Sequence, residues 1–204
     1  MAKKRKPAAK KPAAATADTN NSNTAAAFDE NRYIVIKDLV SQDFAELAAQ
    51  YALANEQYNP TPHVRDKQVP NSYAAYADFL MESMLLTLQP KLEKITGLKL
   101  LPTYSYYRVY KPGATLEEHT DREQCEISCT LCLGYDYLGK DYKWRIKMGG
   151  NNVALEPGDA VIYRGMELPH SRPTFQVKQG AWHAQVFLHW VEDNVHGGKF
   201  CDTK

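Results

Sequence analysis

The feature that most constrains the fold of this chain is a change in the spacing of its apolar residues after Gly97. Before Gly97 the apolar side chains recur at helical spacing. After it, short runs rich in β-branched and aromatic residues alternate with turn signals such as Gly149-Gly-Asn151. Helices followed by many short strands indicate an α+β domain in which the helices pack on a β-sandwich or barrel. The predicted strands cover residues 104–110, 126–133, 144–148, 152–155, 160–163 and 184–191.

The part of the chain before this change is predicted to be mainly helical. A short strand at 33–36 is followed by Ser41, a suitable N-cap for a helix over 42–55. A longer helix is predicted over 73–96, because its apolar residues fall on one helical face. Pro90 lies inside this helix and is expected to kink or divide it, since proline cannot donate the helical hydrogen bond.

Charge divides the chain into a basic tail and an acidic domain. Residues 1–27 contain six Lys or Arg, one Asp and no aromatic or branched aliphatic residue, so we expect them to be disordered. The remainder has a net charge of about −4, which argues against a basic nucleic-acid-binding domain. The basic cluster at 3–6 is interpreted as solubilising, with nucleic-acid contact or nuclear import as the alternatives. We expect one folded domain over 28–198 and a short tail at 199–204.

The cysteines and the hydropathy favour a cytoplasmic protein. No run of apolar residues is long enough to span a membrane, and the N-terminus lacks the apolar core of a secretory signal. Cys129 and Cys132 have the spacing of a zinc motif, but no second pair and no nearby histidine completes a site. We therefore interpret the four cysteines as reduced thiols, mainly of the core. They are Cys125, Cys129, Cys132 and Cys201.

The strongest chemical signal is a His-x-Asp pair followed by a distant histidine. His119 and Asp121 lie two residues apart, so on an extended segment their side chains point to the same side. His170 follows Pro169, about fifty residues later. Two imidazoles and one carboxylate can occupy one face of an octahedral iron(II) ion and leave three positions open. These three residues are therefore candidate metal ligands.

The order of these motifs resembles that of the iron(II)- and 2-oxoglutarate-dependent dioxygenases, most closely their prolyl 4-hydroxylase-like branch. The likeness covers residues 100–193 well and the helical part loosely. It implies a double-stranded β-helix, a jelly-roll or cupin-like barrel, with the N-terminal helices packed on it and the metal at its open end. The resembling segments are Tyr110-Lys-Pro-Gly113, His119-Thr-Asp121, Leu155-Glu-Pro-Gly-Asp-Ala-Val-Ile162, Leu168-Pro-His170 and Gln185-Val-Phe-Leu-His-Trp190.

This resemblance also implies roles for individual residues. His119, Asp121 and His170 would be the iron ligands, and no further catalytic residue is implied. Tyr110 sits where the family often places a tyrosine that hydrogen-bonds the distal carboxylate of 2-oxoglutarate. A core aromatic residue is the alternative interpretation of Tyr110.

The sequence departs from the family at the basic residue that pairs with this carboxylate. The family places it on the final strand, where this chain has His183, with Gln185 two residues later. A buried carboxylate needs a cationic partner. Arg172 is the first candidate, because it lies two residues after His170 and its planar guanidinium suits a carboxylate. The other candidates are Lys178, Arg164 and Arg145.

The activity implied is hydroxylation of a substrate C–H bond, with iron(II) as cofactor, 2-oxoglutarate as co-substrate, ascorbate as reductant, and release of succinate and CO2. The substrate would be a peptidyl proline by analogy, or another protein, peptide or small molecule. The loops 56–71 and 134–143 could cover such a substrate, or they could be ordinary surface turns. Two further hypotheses are a cupin-like metalloprotein without 2-oxoglutarate and a catalytically degenerate binding module. We expect His189 to be a core histidine and His63 a loop residue.

Overall fold

The computed structural model describes residues 16–17, 24–59 and 66–193. It contains three helices and two sheets in which, apart from the parallel pair β1–β2, neighbouring strands are antiparallel. In chain order the elements are β1 (Thr16–Ala17), α1 (Thr24–Asn31), β2 (Tyr33–Ile36), α2 (Gln42–Tyr58), β3 (Ser72–Tyr76), α3 (Phe79–Thr96), β4 (Leu100–Tyr110), β5 (Leu116–His119), a turn of 3-10 helix (Glu123–Cys125), β6 (Ile127–Asp136), β7 (Ile146–Met148), β8 (Asn151–Val153), β9 (Ala160–Arg164), β10 (His170–Arg172) and β11 (Trp182–Glu192).

The two sheets lie face to face, and the helices cover the outer side of the larger one. The larger sheet has the strand order β1-β2-β9-β6-β11-β4-β3, and the smaller has the order β5-β10-β7-β8. One core cluster joins α2 and α3 to β4, β6 and β11, and includes Leu85, Leu92 and Trp190. A second cluster lies between the sheets, where Val161 of β9 packs with residues such as Met148 of β7. Burying one face of the large sheet under helices and the other under a second sheet gives the α+β architecture expected from the sequence.

Strand register brings distant residues of the predicted site together. In the pairing of β4 with β11, Tyr110 is opposite His183 and Arg108 is opposite Gln185. In the pairing of β5 with β10, His119 is opposite His170.

The helix predicted over 73–96 is wrong in its first part. Residues Ser72–Tyr76 form the edge strand β3, which pairs with β4. Helix α3 begins only after Asp78, whose carboxylate accepts hydrogen bonds from the backbone N–H groups of Leu80 and Met81. A short apolar run fits helical and strand spacing equally well, and here pairing with β4 decides the outcome. The helix also runs through Pro90 undivided.

The N-terminal part differs from expectation in its boundary. Helix α1 begins at Thr24, four residues before the predicted start of the domain, and buries Phe28. Helix α2 begins where it was predicted, with Ser41 as its N-cap, but extends to Tyr58. Within 1–27, where disorder was expected, the structure describes the short strand β1 and the start of α1, and the other residues of this segment lie outside the described residues. The tail at 199–204 lies entirely outside them. No helix in the described ranges is both long enough and apolar enough to cross a membrane.

Candidate metal centre

The structure brings the three predicted metal ligands into one group. Their ligand atoms lie within 4.8 Å of one another. Oδ1 of Asp121 is 3.7 Å from Nε2 of His119 and 3.5 Å from Nε2 of His170. One carboxylate oxygen thus faces two imidazole nitrogens across a gap in which a single ion could touch all three.

Strand pairing and one close backbone contact position these ligands. His119 is the last residue of β5 and His170 the first of β10, so their antiparallel pairing places them side by side. Asp121 follows β5, and its backbone N–H donates to the carbonyl of Gly165 over 2.8 Å. A Cβ at Gly165 would lie 2.4 Å from Oδ2 of Asp121 and 2.3 Å from the carbonyl oxygen of Cys125. Only glycine therefore lets the backbone pass this close to Asp121.

Backbone carbonyl groups fix the tautomers of both histidines. Nδ1 of His119 is 2.9 Å from the carbonyl oxygen of Glu117, and Nδ1 of His170 is 3.0 Å from that of Leu168. A carbonyl oxygen can only accept, so each Nδ1 carries the proton and each Nε2 offers a lone pair. Burial lowers the pKa of His170, although the charge of Asp121 opposes this shift. His170 is therefore held in the neutral form that binds a metal.

The three residues lie in the wall of a cavity of about 420 Å³. This volume is within the usual range of small-molecule sites. Its other walls are formed mainly by aromatic side chains and by a few charged ones. The lining includes Tyr76, Tyr104, Tyr106, Tyr163, Phe187, His189, Asp66, Lys67, Arg108 and Arg122.

The buried ring of Trp144 lies beside three of the residues predicted to hold the co-substrate, namely Tyr110, His183 and Arg172. The ring centroids of Tyr110 and His183 are 6.4 Å apart. Arg172 is buried, its guanidinium lies 4.6 Å from the ring centroid of Trp144, and its Nη1 donates to the Trp144 carbonyl over 2.7 Å. No carboxylate of the described residues lies within ion-pair distance of Arg172, and burial lowers the pKa of this guanidinium. Its positive charge is therefore buried without an anionic partner.

Several polar atoms of these residues have no hydrogen-bond partner among the described residues. They are Nε of Arg172, Nε2 of His183 and both side-chain amide atoms of Gln185. Buried polar atoms are nearly always paired in native proteins, so an unpaired set beside an uncompensated cation indicates a place for a polar, anionic ligand. These residues and Tyr110 are not among the described residues that line the cavity beside the metal ligands.

A hydrogen bond from Tyr137 sets the tautomer of His183. Burial and the nearby charge of Arg172 hold the pKa of His183 well below its usual value, so the ring is neutral. Tyr137 Oη lies 2.8 Å from Nδ1 of His183 and also accepts a hydrogen bond from the backbone of Trp144. Burial raises the pKa of Tyr137, which keeps its proton to donate to Nδ1. The unpaired Nε2 of His183 is then an N–H donor.

Sequence reasoning missed a buried ion pair in the cavity wall. Nε of Arg108 is 2.5 Å from Oδ2 of Asp66, and the Tyr106 hydroxyl donates to the same oxygen over 3.0 Å. Burial alone would raise the pKa of Asp66, but the charge and hydrogen bond of Arg108 outweigh it and lower that pKa. The only signal in the sequence was the alternation that puts Arg108 on the same strand face as Tyr110. Because Asp66 compensates Arg108, this arginine is not the free cation of the site.

The other candidate cations lie elsewhere. Arg164 pairs with Glu192, with Nη1 2.6 Å from Oε1. Arg145 and Lys178 are exposed and do not line the cavity. His189 is buried, as expected, but it also lines the cavity. His63 falls outside the described residues.

The cysteine pair with zinc-like spacing does not form a site in the described residues. Cys129 packs in the cluster under the helices, whereas Cys132 packs in the cluster between the sheets. Both thiols are buried and free, as expected from the sequence.

The fold of this chain is similar to the folds of several solved structures. A prolyl-4-hydroxylase from Pseudomonas putida superposes with a TM-score of 0.65 and 15% identity, covering 84% of this chain and 98% of that one. HygX from Streptomyces hygroscopicus, solved with nickel, 2-oxoglutarate and hygromycin B, superposes with a TM-score of 0.64 and 10% identity, covering 84% and 87%. A prolyl hydroxylase from Trichoplax adhaerens, in complex with a peptide fragment of the hypoxia inducible factor oxygen degradation domain, gives 0.63 and 11%, covering 88% and 92%.

At these identities the likeness establishes the fold. The chain has the double-stranded β-helix of the 2-oxoglutarate-dependent oxygenases, including prolyl hydroxylases, so the predicted fold class and the resemblance are confirmed at this level. No family model matches the sequence, and a search of curated proteins found no significant match.

Proposed function

We propose that this chain is an iron(II)- and 2-oxoglutarate-dependent oxygenase that hydroxylates a C–H bond of its substrate. The observation that carries the proposal is the convergence of His119, Asp121 and His170 on one gap, in a fold used by such oxygenases. Iron held by these residues would supply the oxidising chemistry, with 2-oxoglutarate converted to succinate and CO2. Both histidines offer Nε2 lone pairs, and the carboxylate adds a negative charge, which together suit a divalent ion.

The proposed co-substrate site is the group of unpaired polar atoms around Arg172. Its guanidinium would pair with the distal carboxylate, because the described residues offer it no other anion. Tyr110, Gln185 and the Nε2–H of His183 would complete the set of hydrogen-bond donors. His183 stands where the family has a cation, and Arg172 would supply the missing charge from the neighbouring sheet.

The test is an anaerobic titration of the metal-free protein with iron(II) and then with 2-oxoglutarate. We expect a weak visible charge-transfer band that needs both components and is absent in His119→Ala. Arg172→Gln should keep iron binding but weaken 2-oxoglutarate binding on the order of 100-fold, because an unpaired buried carboxylate is costly. Arg172→Lys should recover part of this loss, since it keeps the charge but not the bidentate geometry.

Two control variants test whether the loss of 2-oxoglutarate binding is specific to Arg172. Arg145→Gln removes an exposed arginine outside the cavity and should bind 2-oxoglutarate like the wild type. Arg108→Gln removes the compensated arginine of the cavity wall. If Arg108→Gln abolishes the band while Arg172→Gln does not, the assignment of the clamp is wrong.

A second candidate function is that of a metalloprotein that binds a divalent ion without 2-oxoglutarate. His183 in place of the usual cation is the observation that favours it. Iron binding with no band on addition of 2-oxoglutarate would support this function. Failure to bind any divalent metal would favour a catalytically degenerate binding module.

We propose two alternative classes of substrate, a peptidyl proline and a small molecule. Similarity of fold to prolyl hydroxylases supports a peptidyl proline, whereas similarity to HygX supports a small molecule. Release of succinate in the presence of proline peptides or of small molecules distinguishes the two, with ascorbate added as reductant.

Tyr137 is buried against His183, so it belongs to the interior and not to a loop that covers the substrate. A cytoplasmic location and the role of the basic tail stay predictions.

A further inference from the structure

The two oxygens of Asp121 have different surroundings. Oδ1 faces Nε2 of His119 and of His170, as described above. Oδ2 lies on the other side, where the hydroxyl of Ser128 donates to it over 3.0 Å and Gly165 packs against it. Oδ2 is therefore held by the hydroxyl of Ser128, whereas Oδ1 is left to bind an ion between the two histidines.

Ser128 is itself held by His189, its direct neighbour across β6 and β11. Oγ of Ser128 is 2.9 Å from Nδ1 of His189, and both residues are buried. A hydroxyl has one proton, and a carboxylate is its strongest available acceptor, so Ser128 donates to Asp121. Nδ1 of His189 must then be the donor to Ser128. Burial lowers the pKa of His189 to about 4, so the ring is neutral and carries one N–H.

The same region offers a different possibility, a second metal site. Ligand atoms of Asp121, Cys125 and His189 lie within 4.8 Å of one another. Two of these groups already have hydrogen-bond partners: Nδ1 of His189 lies 2.9 Å from Oγ of Ser128, and Sγ of Cys125 lies 3.0 Å from the hydroxyl of Tyr104. These side chains are arranged as a hydrogen-bonded group and not as a ligand set.

We infer that Ser128 and His189 are positioning residues that restrict Asp121 to binding the metal through Oδ1 alone. This inference rests on the proposed function. Hydrogen bonds from His189 to Ser128 and from Ser128 to Oδ2 keep the second oxygen away from the ion. If Oδ2 also bound, Asp121 would take a further position of the octahedral ion. Too few positions would then remain for a chelating co-substrate and dioxygen together.

The test measures the affinity and stoichiometry of manganese(II) binding from the loss of the free ion's electron paramagnetic resonance signal. We expect Ser128→Ala and His189→Phe to weaken binding by about 10–100-fold, as is usual when a partner of a metal ligand is removed. His189→Asn places an amide donor near the position of Nδ1 and should restore much of the affinity. Ser105→Ala is the matched control, because Ser105 is buried on β4, next to β11, and its hydroxyl has no partner in the part of the chain that the structure describes. It should bind manganese(II) like the wild type.

A second measurement distinguishes a displaced Asp121 carboxylate from a general loss of folded structure. With the metal saturating, Ser128→Ala should also bind 2-oxoglutarate more weakly, because Oδ2 is free to occupy a position the co-substrate needs. Circular dichroism establishes that each variant is folded. Unchanged metal affinity in both Ser128→Ala and His189→Phe would overturn the inference, as would equal losses in His189→Phe and His189→Asn. Two manganese ions per chain, one of them lost in Cys125→Ala, would establish the second metal site instead. If the wild type binds no divalent metal, the proposed function itself fails.

Discussion

At Gly165 the backbone passes so close to Asp121 that no side chain fits between them. An added Cβ would meet both a carboxylate oxygen and a backbone carbonyl, and the latter cannot turn away as a flexible side chain can. We predict that Gly165→Ala displaces Asp121, weakens metal binding and lowers the free energy of unfolding by about 1–3 kcal/mol. Manganese(II) titration and urea denaturation measure the two effects.

Gly134→Ala is the control for this variant. A Cβ at Gly134 would also be close to a neighbour, 3.2 Å from Cβ of Ala49, but this contact lies on the helix side of the sheet, where Ala49 belongs to the core cluster. We expect Gly134→Ala to keep the metal affinity of the wild type. If Gly165→Ala binds manganese(II) equally well, the close contact does not hold Asp121 in place.

Among the elements, the junction of β3 and α3 shows how a cap decides where a helix begins. Asp78 accepts hydrogen bonds from the first turn of α3, and its Oδ2 accepts one from the Tyr51 hydroxyl of α2 over 2.8 Å. Asp78→Ala removes both and should lower the free energy of unfolding by about 1–2 kcal/mol, as measured by urea denaturation. Asp43→Ala removes an exposed carboxylate from the first turn of α2, where Ser41 is the cap, and should have a much smaller effect. Equal effects of the two variants would contradict the capping role.

The elements were predictable in kind and less so in their boundaries. The seven predicted strands each correspond to a strand of the structure, because alternation of apolar residues is a local property. The strands β1, β3, β5 and β10 were missed. Three of them are only two to four residues long, too short to show a period, and β3 was assigned to a helix. Each of these strands pairs with a strand from another part of the chain, so its formation depends on the tertiary fold.

At the scale of the whole molecule, the pair Asp66–Arg108 joins the segment before β3 to the centre of the barrel. Both side chains are almost fully buried, so the loss of one leaves the other without compensation. We predict that Asp66→Asn lowers the free energy of unfolding by about 3 kcal/mol. Arg108→Met combined with Asp66→Asn should recover part of this loss, because no buried charge is then left unpaired. A double variant that is as unstable as the sum of the single variants would contradict this coupling.

The same pair predicts a dependence on pH. The pKa of Asp66 is lower in the folded protein than in the unfolded chain. Its contribution is therefore fully present above the pKa of the unfolded carboxyl group and is lost as the pH falls through the folded pKa. The difference in stability between wild type and Asp66→Asn should narrow in acid, below about pH 4. Urea denaturation at several pH values would measure it.

The sequence by itself determined what short-range patterns can encode: the α+β class, most of the strands, and the His-x-Asp pair with its distant histidine. Spacing along a strand decides which side chains point the same way, and that spacing is readable in one dimension. Only the tertiary structure decided which cation lacks a partner. Arg108 is compensated by Asp66, 42 residues away, whereas Arg172 has no carboxylate beside it among the described residues. Charge compensation and the hydrogen bond from His189 to Ser128 depend on distances across the fold, and no local pattern contains them.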